Sequence, residues 1–192
     1  MTTRGRGRPS GGTESVSPAK ILSEALGLLD SKGLEGLTMR ALAMRVGISP
    51  MAIYHHFQDR DGLIRALGDM VYSDVGAPPA GCVRSRIEGL LSAYRSKVVR
   101  HPNLTLAIFT RPAVFPDHAK RITESLAELL GELGLPALHS RLWVHILVDY
   151  THGAALATAM GGGSTGSNPA ASDTGDEDYS RAVCELLARL EG

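Results

Sequence analysis

Three residues, His145, Asp149 and His152, are separated by offsets of four and three. This spacing brings two imidazoles and a carboxylate to one face of a helix, as a transition-metal site requires. The plainer reading is a helix at an interface or pocket wall whose polar groups pair or meet water, and under it the chain needs no metal and no other cofactor. A second pair, His55 and His56, is adjacent in sequence. Neighbouring side chains on a helix point about 100° apart, which argues against joint ligation. Cys82 and Cys184 lie far apart without ligand spacing, so neither a zinc site nor a disulfide framework is expected. No G-x-S-x-G elbow, P-loop or H-E-x-x-H run is present, and seven histidines among scattered carboxylates nominate no catalytic dyad. The chemistry expected is binding, and the chain is read as no enzyme.

Tyr54, His55 and His56 are the sharper signal because of the elements that must hold them. Thr38 is placed to cap a helix through Val46, and Gly47 is placed to end it with a positive φ. Ser49 can cap the next helix, Pro50 suits its first turn, and that helix is predicted over Met51 to Phe57. Only Gly47-Ile48 separates the two, so they must cross steeply. Ile53 and Phe57 face inward at a spacing of four. Met51, Ala52, Tyr54, His55 and His56 are left mainly outward, on a face that needs a partner.

Within the run from Leu37 to Leu67, residues 37–63 have the form L-T-x-R-x-L-A-x-x-V-G-I-S-x-x-A-I-Y-x-H-F-x-D-R-x-x-L. It resembles the DNA-binding domain of the tetracycline-repressor (TetR) family, and the resemblance covers about Pro18 to Leu67. It implies a helix-turn-helix that reads double-stranded operator DNA. Thr38 matches the residue that caps the helix and meets a phosphate. Arg40 matches an arginine able to reach a base edge, where its fork satisfies both guanine acceptors. Ser49, Pro50, Met51 and Ala52 open the recognition helix, and Met51 and Ala52 meet bases by apolar contact. Tyr54 and His56 match phosphate contacts. His55 departs from the family's usual tryptophan or tyrosine, and Arg60 stands where a lysine is usual.

Composition agrees with this reading. Net charge is zero, yet residues 1–65 carry nine Lys and Arg against six Asp and Glu, and the remainder eleven against fourteen. A nonspecific DNA-coating protein is disfavoured by that neutral total and by the large apolar second part. No segment holds 18 uninterrupted apolar residues, and no secretory leader is evident, so a cytoplasmic protein without a membrane partner is expected.

The fold predicted is all-α. Residues 1–17 read as a disordered basic tail, with Arg4, Arg6 and Arg8 available to phosphates or a minor groove. Residues 18–75 read as the helix-turn-helix DNA-binding domain, with a fourth, linking helix from Arg60 to about Val75. Residues 76–192 read as a larger helical ligand-binding and dimerisation domain. Its helices are expected at Cys82 to Arg100, Leu104 to Phe109, Asp117 to Leu133, Ala137 to Met160 and Tyr179 to Leu190, with a flexible loop over 161–178.

The family resemblance implies a homodimer through the helices at 137–160 and 179–190. It also implies a pocket whose small-molecule effector releases DNA. Candidate lining residues are Tyr94, Phe109, Arg111, Phe115, Trp143, His145, Asp149 and His152. Repression is the family's commoner behaviour. Activation, ligand-independent binding and, less favoured, metal response are the alternatives.

Overall fold

Serine, threonine and aspartate side chains start the first four helices, each by the same local device. In the computed structural model, which describes residues 16–111, 113–161 and 169–190, Ser17 caps α1 (Pro18–Gly36) and Thr38 caps α2 (Met39–Val46). Ser49 caps α3 (Pro50–Phe57) and Asp59 caps α4 (Arg60–Val71). Each cap accepts the amide of the residue three ahead, one of the donors that a helix start leaves without an internal partner. Gly33, at φ 67°, breaks α1 one turn before its end, and Gly47, at φ 79°, closes α2.

α1 buries Ile21, Ala25, Leu28 and Leu29 against α2 and α4, and Leu42, Ile53, Leu63 and Ile64 complete the packing. Short helices of this length need such burial to persist. The basic side chain of Arg45 pairs with Glu24 at 2.6 Å, tying α2 to α1.

The remaining helices are α5 (Val83–Arg100), α6 (Pro102–Phe109), α7 (Asp117–Glu132), α8 (Ala137–Gly161) and α9 (Pro169–Ala188). No strand occurs among the described residues. α5 is central, packing on α7 and α8 with α9 alongside, while α6 lies against α1 and α4. One buried apolar cluster runs from Ile21 to Leu187 and crosses position 75 without a break. Among the described residues, no helix is long and apolar enough to cross a membrane.

Two expected boundaries are corrected. The helix predicted to reach about Val75 ends at Val71, with the buried Tyr72 as its cap, its amide still bonded to the Gly68 carbonyl. The turn after it is held by Ser73 donating to the Met70 carbonyl at 2.9 Å and by a Lys97–Asp74 pair at 2.8 Å. The loop expected over 161–178 contains helix from Pro169 onward. Polar, low-complexity composition hid that helix, and distant side chains anchor it. Arg95, 6% exposed on α5, pairs with Asp176, bonds Thr158 at 3.0 Å and lies 4.8 Å from the Tyr179 ring centre. Residues 1–15 of the tail predicted over 1–17, and residues 162–168 of the loop predicted over 161–178, lie outside the described residues.

Candidate nucleic-acid interface and the cavity behind it

On α3 the inward and outward faces are sharply divided. Ile53 is fully buried and Phe57 is 8% exposed, so the helix is clamped to α2 and α4 along one side. Met51 is 72% exposed and Tyr54 41%, with His55 and His56 also in solvent and Ala52 half-buried. The two imidazole rings stand edge to face with centres 5.8 Å apart. Beside this row lies the start of α2, with Thr38 and Arg40 exposed.

Thr38 accepts the Ala41 amide at 3.1 Å and Ser49 the Ala52 amide at 3.2 Å. Both helix starts meet solvent, and helix starts attract anions. Pro50 is exposed in the first turn of α3, where its missing amide hydrogen costs nothing. Arg60 is the exception among the expected contacts. Its guanidinium donates to the Leu34 carbonyl and is half-buried, so it ties α4 to the end of α1.

A cavity of about 250 Å³ lies between α5, α6, α7 and α8. Four of the expected lining residues meet there: Tyr94, Phe109, Phe115 and His152. His145 and Asp149 instead line an adjoining, more open groove that shares the two phenylalanines and His152. Arg111 and Trp143 fall elsewhere. Arg111 pairs with Asp61 of α4 at 2.6 Å, and Trp143 packs beside Leu135 and Leu190. The three-residue spacing that could have held a metal is also taken apart. His152 turns inward to Tyr94, while His145 and Asp149 stay exposed, and no metal-binding cluster of three such residues forms among the described residues.

The polar end of the cavity is the Tyr94–His152 pair, joined hydroxyl to Nε2 at 2.6 Å. Burial, partly opposed by the Asp149 charge, lowers the His152 pKa to about 4, so the imidazole is neutral. Burial also pushes the Tyr94 phenol well above its ordinary value, with Tyr72 adding to the rise. Tyr72 and Thr105 share a bond of 3.3 Å beside them. Sequence reasoning missed Tyr72, Thr105 and Thr123 as lining residues. The available signal was a hydroxyl on the inward side of an otherwise apolar stretch.

The segment between α6 and α7 connects this cavity to the first four helices. Val114 and Phe115 line the cavity, while the Ala113 carbonyl accepts from Arg65 at 3.1 Å. The start of α7 is held by Asp69 of α4, which accepts the His118 amide at 2.9 Å and contacts its ring at 3.1 Å. Gly68 packs so closely on Pro116 that a Cβ there would lie 2.4 Å from its ring. The cavity wall and α4 therefore share one short stretch of chain.

Comparison with known proteins gives the same fold and the same N-terminal segment. The family described as bacterial regulatory proteins, tetR family, matches residues 21–67. The HTH-type transcriptional repressor DrrR1 of Streptomyces coeruleorubidus is 29% identical over 155 residues, covering 77% of this chain and 56% of that protein. Across three of the curated relatives it matches, the chain spans 27% to 56% of their length. Among solved structures, a TetR variant from Acinetobacter baumannii AYE in complex with minocycline superposes with a TM-score of 0.73 at 18% identity. It covers 92% of this chain and 97% of its own. BioQ with its double-stranded DNA operator superposes with a TM-score of 0.73 at 19% identity, covering 92% and 98%.

Proposed function

Because the chain belongs to the tetR family of bacterial regulatory proteins, we propose that it represses transcription in the cytoplasm. It does so by holding a pseudo-palindromic DNA operator as a homodimer, and it lets go when a small molecule fills the cavity. The observation that carries this reading is the exposed row of α3, flanked by two helix starts and Arg40 while Ile53 and Phe57 anchor its other side. A helix held that way can enter a major groove. Arg40 reads a guanine through its fork, and Met51 and Ala52 meet thymine methyls or base edges. Thr38, Ser49, Tyr54 and His56 fix the frame on phosphates, with His55 beside them. The guanidinium of Arg60 is engaged inside the protein, and no phosphate role is assigned to it.

The dimer is supported by α8. Its apolar residues Leu138, Leu142, Ile146 and Met160 are 78%, 55%, 38% and 61% exposed within one chain, at spacings that keep them near one side. A second copy meeting α8 and α9 buries them and matches a two-fold protein to a two-fold site. Release is supported by the shared stretch between cavity and α4. A ligand displacing Val114 or Phe115 shifts the anchors at Asp61, Arg65 and Asp69, and hence the angle of the reader. That BioQ has been solved with an operator and a tetR-family neighbour with minocycline is consistent with both parts.

The test is selection of bound fragments from genomic DNA, followed by affinity for the selected fragment against random DNA over a salt series. A specific regulator prefers its own site by about 10³-fold or more. Equal affinities would end this reading.

A further inference from the structure

The chemistry of the cavity narrows what can fill it. Among the described residues no Lys, Arg, Asp or Glu lines it, and its walls are Tyr, Phe, Ile, Val, Ala and Thr with the one imidazole of His152. Among those side chains the polar atoms are already engaged. The Tyr72 and Thr105 hydroxyls bond each other, Thr123 donates to the Lys120 carbonyl at 2.7 Å, and Tyr94 bonds His152 Nε2. The exception is His152 Nδ1, which is buried without a partner. A ligand carrying a full charge would leave water with no counter-charge to meet it. Charged side chains line only the outer groove, where Glu124 and Asp149 stand against Arg141.

We infer that the cavity takes a neutral, mainly apolar ring-sized molecule carrying one hydrogen-bonding group, which meets the Tyr94–His152 pair. This rests on the reading of the cavity as the effector site, and it adds the chemical class of the effector. The edge-on contact of Phe109 with His152, ring centres 4.6 Å apart, favours a flat aromatic body lying against the same ring. Phe109 and Phe115 are about half exposed at the mouth, so side-chain motion there gives the ligand a way in.

The experiment uses three probes on one aromatic frame with the full chain at pH 7: 2-naphthol, 2-naphthoate and 2-naphthylmethylammonium. Affinities are read by calorimetry, and release of the selected operator is followed in the same titrations. The neutral probe is expected to bind at least about tenfold more tightly than either ion. An ion binding as well as 2-naphthol, or no measurable binding of 2-naphthol, overturns the inference.

Thr123→Lys puts a cation at the half-buried mouth and is expected to move the preference toward 2-naphthoate; an unmoved preference in a variant of normal melting temperature also overturns it. His152→Phe should lower 2-naphthol affinity, with Tyr94→Phe as the check if the first variant melts early. An affinity unchanged in both removes the polar anchor. Binding of 2-naphthol with the operator retained keeps the ligand class and overturns the effector role. Binding of 2-naphthoate with operator release does the reverse.

Discussion

The first four helices and the last five keep their polar chemistry on opposite sides. In α1 to α4 the branched apolar residues such as Ile21, Leu42, Ile53 and Leu63 go inward, and Arg40, Tyr54, His55 and His56 face water together with Met51. In α5 to α9 Arg95, Thr105, Thr151 and His152 are buried, while Leu138, Leu142 and Met160 face out. A surface that meets DNA keeps its hydrogen-bonding groups wet until the partner arrives. Under the proposed function the body encloses a ligand and pairs with a second copy, which reverses that arrangement. The contrast also separates two kinds of support. The outward groups of α3 rest on local caps, and the inward groups of α5 and α8 rest on partners far away in the chain.

The strongest test of the contrast is in the anchored side of the reader. Ile53→Ala is expected to lower stability by about 2–5 kcal/mol, through lost burial and the cavity left behind. By comparison, Leu142→Glu on the exposed side of α8 is expected to leave helix content unchanged while shifting the protein to monomer at micromolar concentration. Denaturant melts and sedimentation measure the two. A wild-type monomer would break the assignment of α8.

His152 gives the body a pH dependence. Its folded pKa of about 4 lies below the ordinary 6.5, so the unfolded chain takes up the proton first as pH falls. Stability is fully present above pH 6.5 and declines between 6.5 and 4, by an amount on the order of 3 kcal/mol. His152→Phe should lack that part of the slope. Identical acid limbs in denaturant melts of the two proteins would mean that the imidazole is not held neutral.

Arg40→Ala is expected to weaken operator binding by about 1–3 kcal/mol and to relax preference at one position per half-site. A loss uniform across sequences would make Arg40 a phosphate contact. The smallest effect belongs to the turn. Gly47→Ala forces a side chain into the left-handed region at φ 79° and should cost about 1 kcal/mol in thermal stability, with no clash to add to it.

The reader was the legible part because its signals are short-range. Ser17, Thr38, Ser49 and Asp59 each act on an amide three residues ahead, and Gly47 acts on its own φ. The spacing of Ile53 and Phe57 alone shows which side of α3 is buried. Arg60 was not legible, because the carbonyl it bonds lies 26 residues back. In the body, apolar period gave the helices, but not which titratable groups meet. His145, Asp149 and His152 share a spacing, yet the bond between Tyr94 and His152 spans 58 residues and takes one member of the three inside.

The chain alone determined that the fold is helical, where most helices start and stop, and that an exposed aromatic and basic row follows a tight turn. These depend on neighbours within a turn or two, whose geometry the backbone fixes. Tertiary structure alone decided that Tyr72 leaves its helix for the cavity and that the run before Tyr179 becomes helix under Arg95. It also decided that the stretch from Arg111 to His118 serves both the cavity wall and α4. Each of these depends on closing tens of residues of chain to bring two groups together, and no local spacing encodes which groups those are.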